Sequence, residues 1–125
     1  MSPGAWCAFL VAAGLGAPAR YLVDGVVQDR SRSSFPWGTF VVNASGSLVL
    51  GVLTGLGLWH DLGATARTVL GTGGMGAYTT FSTFTFETVR LAEEEDTAAA
   101  LRAGLSGLLA SVAAAAVGLT LAYAL

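Results

Sequence analysis

Gly71-Thr72-Gly73-Gly74-Met75-Gly76-Ala77-Tyr78-Thr79-Thr80-Phe81-Ser82-Thr83-Phe84-Thr85-Phe86-Glu87 is the stretch whose reading decides how this chain folds. It opens on glycines that weaken a helix and continues into a dense run of hydroxyls, so a continuous helix is not expected here. The stretch lies almost wholly within a run free of charge from Thr68 to Phe86. Three similar runs flank it: Met1 to Ala19, Ser31 to Trp59 interrupted by Arg32, and Ala103 to Leu125.

Each run is close to the roughly 20 residues that a helix needs to cross a bilayer core of about 30 Å. The 125 residues are 54% hydrophobic and 11% charged, with a mean hydropathy of +0.66, too apolar for an ordinary soluble domain. The sequence therefore predicts an all-α membrane protein, one transmembrane domain over 1–125 with spans near 3–24, 36–59, 66–90 and 99–124, the third of them broken. Ala17-Pro18-Ala19 mimics a signal-peptide cleavage site, but no Lys or Arg precedes the apolar stretch, so the first run is read as a span.

Several chemistries are excluded. A single cysteine, Cys7, cannot form an intrachain disulfide, and His60 stands alone beside Asp61. Six scattered arginines, no lysine and a formal charge of −2 leave no footprint for nucleic acid. Gly71, Gly73 and Gly76 fit the spacing of a dinucleotide loop, but no strand precedes them. No enzyme is read from these residues.

Broken backbone at membrane depth persists only where it is buried in protein or lines a cavity, and its freed carbonyls can replace the water around a cation. The break is expected between Gly76 and Thr80 and is read as a first ion site. Beyond it, Phe81 and Phe84 are expected on one helical face, interleaved with Ser82, Thr83 and Thr85. Packing alone accounts for such a pair. Electropositive ring edges beside hydroxyl donors equally suit a small anion, and spacing does not choose between the two.

Small residues recur every fourth position at Ala8, Ala12 and Gly16, and again at Thr39, Asn43, Ser47, Gly51 and Gly55, as close helix packing requires. An amide in hydrocarbon needs a partner, so Asn43 is expected at an interface or a wet path. Apart from Arg20 and Glu87 near segment ends, no ionisable side chain sits in mid-span, which favours a passive path over a proton-driven pump.

Asp24 to Ser34, His60 to Ala66 and Arg90 to Thr97 read as connections, the last carrying the acidic run Glu93 to Asp96 as a solvated loop. Short connections make neighbouring segments antiparallel, placing Arg20, Arg30, Arg32, Arg90 and Arg102 toward one side and Arg67 alone toward the other. The positive-inside rule then turns both termini outward.

Gly16-Ala17-Pro18-Ala19-Arg20-Tyr21, Gly38-Thr39-Phe40-Val41-Val42-Asn43 and Thr79-Thr80-Phe81-Ser82-Thr83-Phe84 with Glu87 after it together resemble the Fluc, or CrcB, family of bacterial fluoride channels, over essentially the whole chain. The resemblance implies passive fluoride export across the bacterial plasma membrane, protecting against fluoride toxicity. It also implies an antiparallel, inverted-topology dimer of four-helix subunits, with two pores along its interface and a structural Na+ on the two-fold axis.

Carried over by position, the backbone carbonyls of Gly76 and Thr79 hold the sodium, Phe81 and Phe84 present ring edges to fluoride, and Asn43 donates its amide. Ser82, Thr83 and Ser111 complete the polar lining, Arg20 and Thr39 serve a vestibule, and Glu87 closes the helix end. The fourth segment departs from the pattern, since Ala103 and Gly107 stand where the family often has polar side chains and only Ser111 keeps a hydroxyl. With the five-to-one arginine tally, this suggests an inverted homologous partner rather than a homodimer. The rival readings are a small proton-coupled multidrug-type exporter, which lacks its acid because the first segment has none before Asp24, and a non-conducting partner or assembly subunit.

Overall fold

The structure is a computed structural model that describes all residues, Met1–Leu125, and it is wholly helical, without strands. Three helices are long and apolar enough to cross a membrane: α1 (Pro3–Arg30), α2 (Trp37–Trp59) and, last in the chain, α6 (Thr97–Ala124). Between them run α3 (Ala64–Arg67), a π-helix (Thr68–Met75), α4 (Gly76–Tyr78) and α5 (Ser82–Glu94). Only 18 of 125 residues are buried, while leucines and valines such as Leu10, Leu15, Leu22, Leu109 and Val112 stand outward. An exterior this apolar is matched to lipid rather than to water. This is a multi-pass membrane protein.

The first expected connection is too long. Helix α1 continues through Asp24 to Arg30, its 28 residues spanning about 42 Å at roughly 1.5 Å each. That exceeds the hydrocarbon thickness, so the charged last turns lie where water and headgroups solvate them. Gln28 then ties the chain reversal, its Oε1 accepting from the Gly38 N–H at 3.2 Å. Asp24 packs so closely on Gly38 that an added Cβ would sit 2.6 Å from its carbonyl oxygen.

The acidic run is solvated as expected, but only its second half lies outside a helix. Glu93 and Glu94 finish α5, and Asp96 caps α6 by accepting from the Ala99 N–H at 2.7 Å. Because α5 runs on to Glu94, Glu87 lies in its second turn rather than at a helix end, paired with Arg90.

The two small-residue stripes do what close packing demands. A Cβ at Gly118 would lie 2.1 Å from the Leu48 carbonyl oxygen, and one at Gly51 would lie 2.2 Å from that of Ala115. Helices α2 and α6 are therefore in backbone contact. On the other side, a Cβ at Gly16 would meet the Gly74 carbonyl oxygen at 2.3 Å, which seats α1 against the π-helix.

The third segment breaks at the end of the expected stretch Gly76 to Thr80, at Thr79 and Thr80, and not at its glycines. They are taken up in a π-helix, with the Gly76 N–H reaching back to the Gly71 carbonyl, and Gly76 to Tyr78 are themselves helical. The chain leaves the helix only at Thr79 (φ −75°, ψ 162°) and resumes it at Ser82, so the break is Thr79, Thr80 and Phe81. Hydroxyl and amide side chains that bond backbone there, rather than glycine flexibility, make the alternative to helix.

Candidate functional site

Thr80 is the centre of the break. Its N–H donates to Asn43 Oδ1 at 2.8 Å, and its carbonyl accepts from Asn43 Nδ2 at 2.8 Å, so one amide side chain completes both backbone bonds of this residue. The Thr80 hydroxyl donates to Thr83 Oγ1 at 3.1 Å and accepts from the Thr83 N–H at 3.1 Å, capping the start of α5. Thr79 turns its hydroxyl back to the Met75 carbonyl at 2.9 Å. Its own carbonyl accepts from Arg20 Nη1 at 3.2 Å. Asn43 thus meets its expected partner requirement through the backbone of the break.

Helix α2 positions this contact because Gly46 lets the break approach: a Cβ there would lie 2.3 Å from Thr79 Cγ2. One residue earlier on α2, Ser45 shares a hydrogen bond of 3.0 Å with the Tyr78 hydroxyl. Two cavities flank the clamped peptide. One, of about 260 Å³, is lined by Asn43, Ser47, Leu50, Thr79, Thr80, Phe81, Phe84, Gly107, Leu108 and Ser111. The other, of about 240 Å³, is lined by Ala17, Arg20, Tyr21, Asp24, Thr39, Val42, Thr80 and Thr83. Thr80 belongs to both, so the peptide that Asn43 holds is a partition between them.

The first cavity contains no ionisable group. Its chemistry is two phenyl rings, the hydroxyls of Ser47, Thr79, Thr80 and Ser111, and one amide, which suits a small ion stripped of part of its water. Phe81 precedes α5 rather than lying on it, yet its ring centroid is 6.1 Å from that of Phe84 with the planes 32° apart. Phe81 is 78% exposed and stands out of the single chain. Phe84 is seated by Gly107, where a Cβ would meet its Cε2 at 3.0 Å.

The second cavity holds Arg20, with Thr39 at 4% exposure at its base. Asp24 lines it as well, a neighbour that sequence reading placed in a loop.

The structure gathers Asn43, Thr79, Phe81, Phe84 and Ser111 at one cavity and Arg20, Thr39 and Thr83 at the other. Ser82 lines neither and remains exposed, 3.4 Å from the Thr80 hydroxyl. Gly76 faces outward on α4, and Glu87 is engaged with Arg90 one turn further along α5. Sequence reasoning missed Thr80 as the hub, Ser47 as lining and Gly107 as the seat of a ring. Ser47 was within reach, one step along the stripe from Asn43. Nothing in a run of five hydroxyl residues distinguishes Thr80 from its neighbours.

Comparison with known proteins is unambiguous. The family model described as CrcB-like protein, Camphor Resistance (CrcB), matches residues 7–119. Fluoride-specific ion channel FluC 1 of Leifsonia xyli is 46% identical over 121 residues, covering 97% of this chain and 88% of that protein. Proteins of the same name from Streptomyces avermitilis and Frankia casuarinae are 42% and 43% identical, each over 95% of this chain and over 90% and 96% of their own lengths. The chain belongs to the CrcB family.

Proposed function

We propose that this protein is a subunit of a passive, fluoride-selective ion channel in the bacterial plasma membrane, not an enzyme, which lets cytoplasmic fluoride escape. The observation that carries the reading is the cavity beside the broken segment, where phenyl rings and hydroxyls converge and no ionisable side chain competes. The names of the relatives support it.

In this reading the segment Ala64–Glu94 crosses the membrane as a broken span, giving four spans with α1, α2 and α6. A phenyl edge carries partial positive charge and attracts an anion without a fixed cation that would trap it. Hydroxyls of Ser47 and Ser111 donate to fluoride in place of water. Asn43 spends one N–H on Thr80 and keeps its second for the ion. Arg20 and Thr39 form the entry on the far side of the partition.

The Phe81 ring, exposed on one chain, calls for a second subunit, and an antiparallel arrangement brings two such faces together. A structural sodium ion fits the break. Thr79 donates its N–H to Met75 and Thr80 donates to Asn43, so neither bonds the Gly76 carbonyl. That oxygen is available, and the Thr79 carbonyl keeps a lone pair beyond the one that Arg20 uses. Gly76 and Thr79 carbonyls from two subunits would supply the oxygen ligands that a hard cation prefers. The bound ion would fix positive charge among these carbonyls.

A second reading concerns the partner. Gly107 and Ala103 leave α6 with Ser111 as its only hydroxyl at the cavity, and five of six arginines belong toward one end. Both features favour pairing with an inverted homologous subunit over a homodimer. Tagging the chain after Leu125, expressing it alone and labelling with a membrane-impermeant reagent separates the two: a stable dimer with tags on both sides overturns the mixed pair.

The function itself is tested in liposomes loaded with potassium fluoride. Addition of valinomycin is expected to release fluoride to an external electrode, with chloride retained in the control.

A further inference from the structure

Two cavities meet at the end of the bundle that holds the first and third connections. One is a polar cup of about 250 Å³ lined in part by Ser33, Ser34, Glu95 and Arg102. The other is an apolar groove of about 600 Å³ between α2 and α6, passing Phe40, Leu105 and Leu109. Phe35, Trp37 and Arg102 line both, so cup and groove are continuous. At the join, the rings of Phe35, Trp37 and Phe40 cluster with centroids 4.5 to 5.8 Å apart. Aromatic clusters of this kind mark headgroup depth in a membrane.

The polar groups of the cup are unspent. Arg102 forms no ion pair, the chain's single salt bridge being Glu87 with Arg90. The Ser33 hydroxyl accepts from the Phe35 N–H but donates to nothing, and the Ser34 hydroxyl makes no hydrogen bond. Glu95 supplies a carboxylate in the same cup. By the arginine tally, this end faces the cytoplasmic leaflet, where basic pockets between helices meet lipid phosphates.

We propose that cup and groove together bind one amino-phospholipid of the phosphatidylethanolamine type. Its phosphodiester sits on Arg102 with the two serine hydroxyls, its ammonium donates to Glu95, and one acyl chain lies along Phe40, Leu105 and Leu109. A soluble phosphate leaves the groove unused. A purely anionic headgroup sets negative charge against Glu95, and a quaternary ammonium has no N–H to give that carboxylate. A second copy of the chain laid over the groove would remove Arg102 from water without a partner, which is costly. The inference rests on the membrane reading and not on which ion passes.

Trp37 reports on the site. With Trp6→Phe and Trp59→Phe it is the only one left of three tryptophans, and phospholipids brominated on their chains quench it on contact. In mixed vesicles, half-quenching is expected at about tenfold lower mole fraction of brominated phosphatidylethanolamine than of the phosphatidylcholine analogue, the lower end of the discrimination that one charge-assisted hydrogen bond provides.

Glu95→Gln is expected to erase that difference, and Arg102→Gln to weaken both lipids. Equal quenching by all headgroups, indifferent to both substitutions, would overturn the proposal. So would no quenching at all, as for a groove covered by protein, or a preference for phosphatidylglycerol that survives Glu95→Gln. Glu95 is an exposed turn residue, so its arm decides the matter even where Arg102→Gln misfolds.

Discussion

The contact between α2 and α6 and the contact between α2 and the broken segment use the same helix by opposite means. Toward α6, Gly51 of α2 lies on the Ala115 carbonyl, Gly118 of α6 lies on the Leu48 carbonyl, and Gly55 takes the Ala122 methyl, so the backbones touch with nothing larger than a methyl between them. Toward the break, it offers Asn43, Ser45 and Gly46, and the contact is made of hydrogen bonds. The first is a shape fit that tolerates no added atom. The second is a polar fit that tolerates no lost donor, because backbone groups freed from a helix inside a membrane have no water to turn to. A chain that keeps polar groups beside an ion path needs the first contact to hold the second in place.

The comparison breaks most severely at the shape fit. Gly118→Val drives Cβ into the Leu48 carbonyl, and overpacking against backbone costs from about 3 kcal/mol upward. Little folded protein is expected on size exclusion in detergent, and a Tm within a few degrees of wild type would refute backbone contact. At the polar fit, Asn43→Leu removes two hydrogen bonds and leaves the Thr80 N–H and carbonyl unpaired, a loss of roughly 2–4 kcal/mol. Hydrogen exchange at the Thr80 amide should accelerate far more than exchange in α6. Uniform acceleration along the chain would mean that the clamp is not local.

Asn43→Asp sharpens the same point. It keeps the acceptor for the Thr80 N–H but turns the donor into a second acceptor facing the Thr80 carbonyl, and strongly reduced fluoride flux is expected from a dimer that persists. Arg20→Gln takes one charge-assisted bond from Thr79 and should cost only about 1–2 kcal/mol, read as a shift in thermal unfolding. Phe81→Ile is the mildest for stability. Its ring is already exposed in the single chain, so the fold of the subunit itself should shift by under about 0.5 kcal/mol. Flux should nevertheless fall roughly tenfold, equivalent to about 1.4 kcal/mol on the barrier. Equal fluxes for Phe81→Ile and wild type would reduce the ring to packing.

Sequence reading succeeded where physics is local. Charge-free runs mark α1, α2 and α6 because hydrocarbon excludes charge, and the stripes at Gly16, Gly51 and Gly55 forecast close approach. It was less accurate where the outcome depends on a distant partner. The glycines from Gly71 to Gly76 widen a helix instead of ending it, and α1 packs on them at Gly16. The break falls at Thr79–Phe81 because Asn43, 37 positions away, satisfies Thr80. Asp96 looked like one member of a solvated acidic run until the turn before α6 made it a cap. Composition also hid Gly107, whose missing side chain makes the place for Phe84.

The central claim is that the cavity beside the clamped break passes fluoride. Its most direct test is valinomycin-triggered efflux from potassium fluoride liposomes, using the dimer captured by a C-terminal tag on this chain together with any homologous subunit that it pairs with. The account predicts fluoride release that chloride does not share and that Phe81→Ile cuts roughly tenfold. Absence of fluoride release from such vesicles, or release of fluoride and chloride at equal rates, would contradict it.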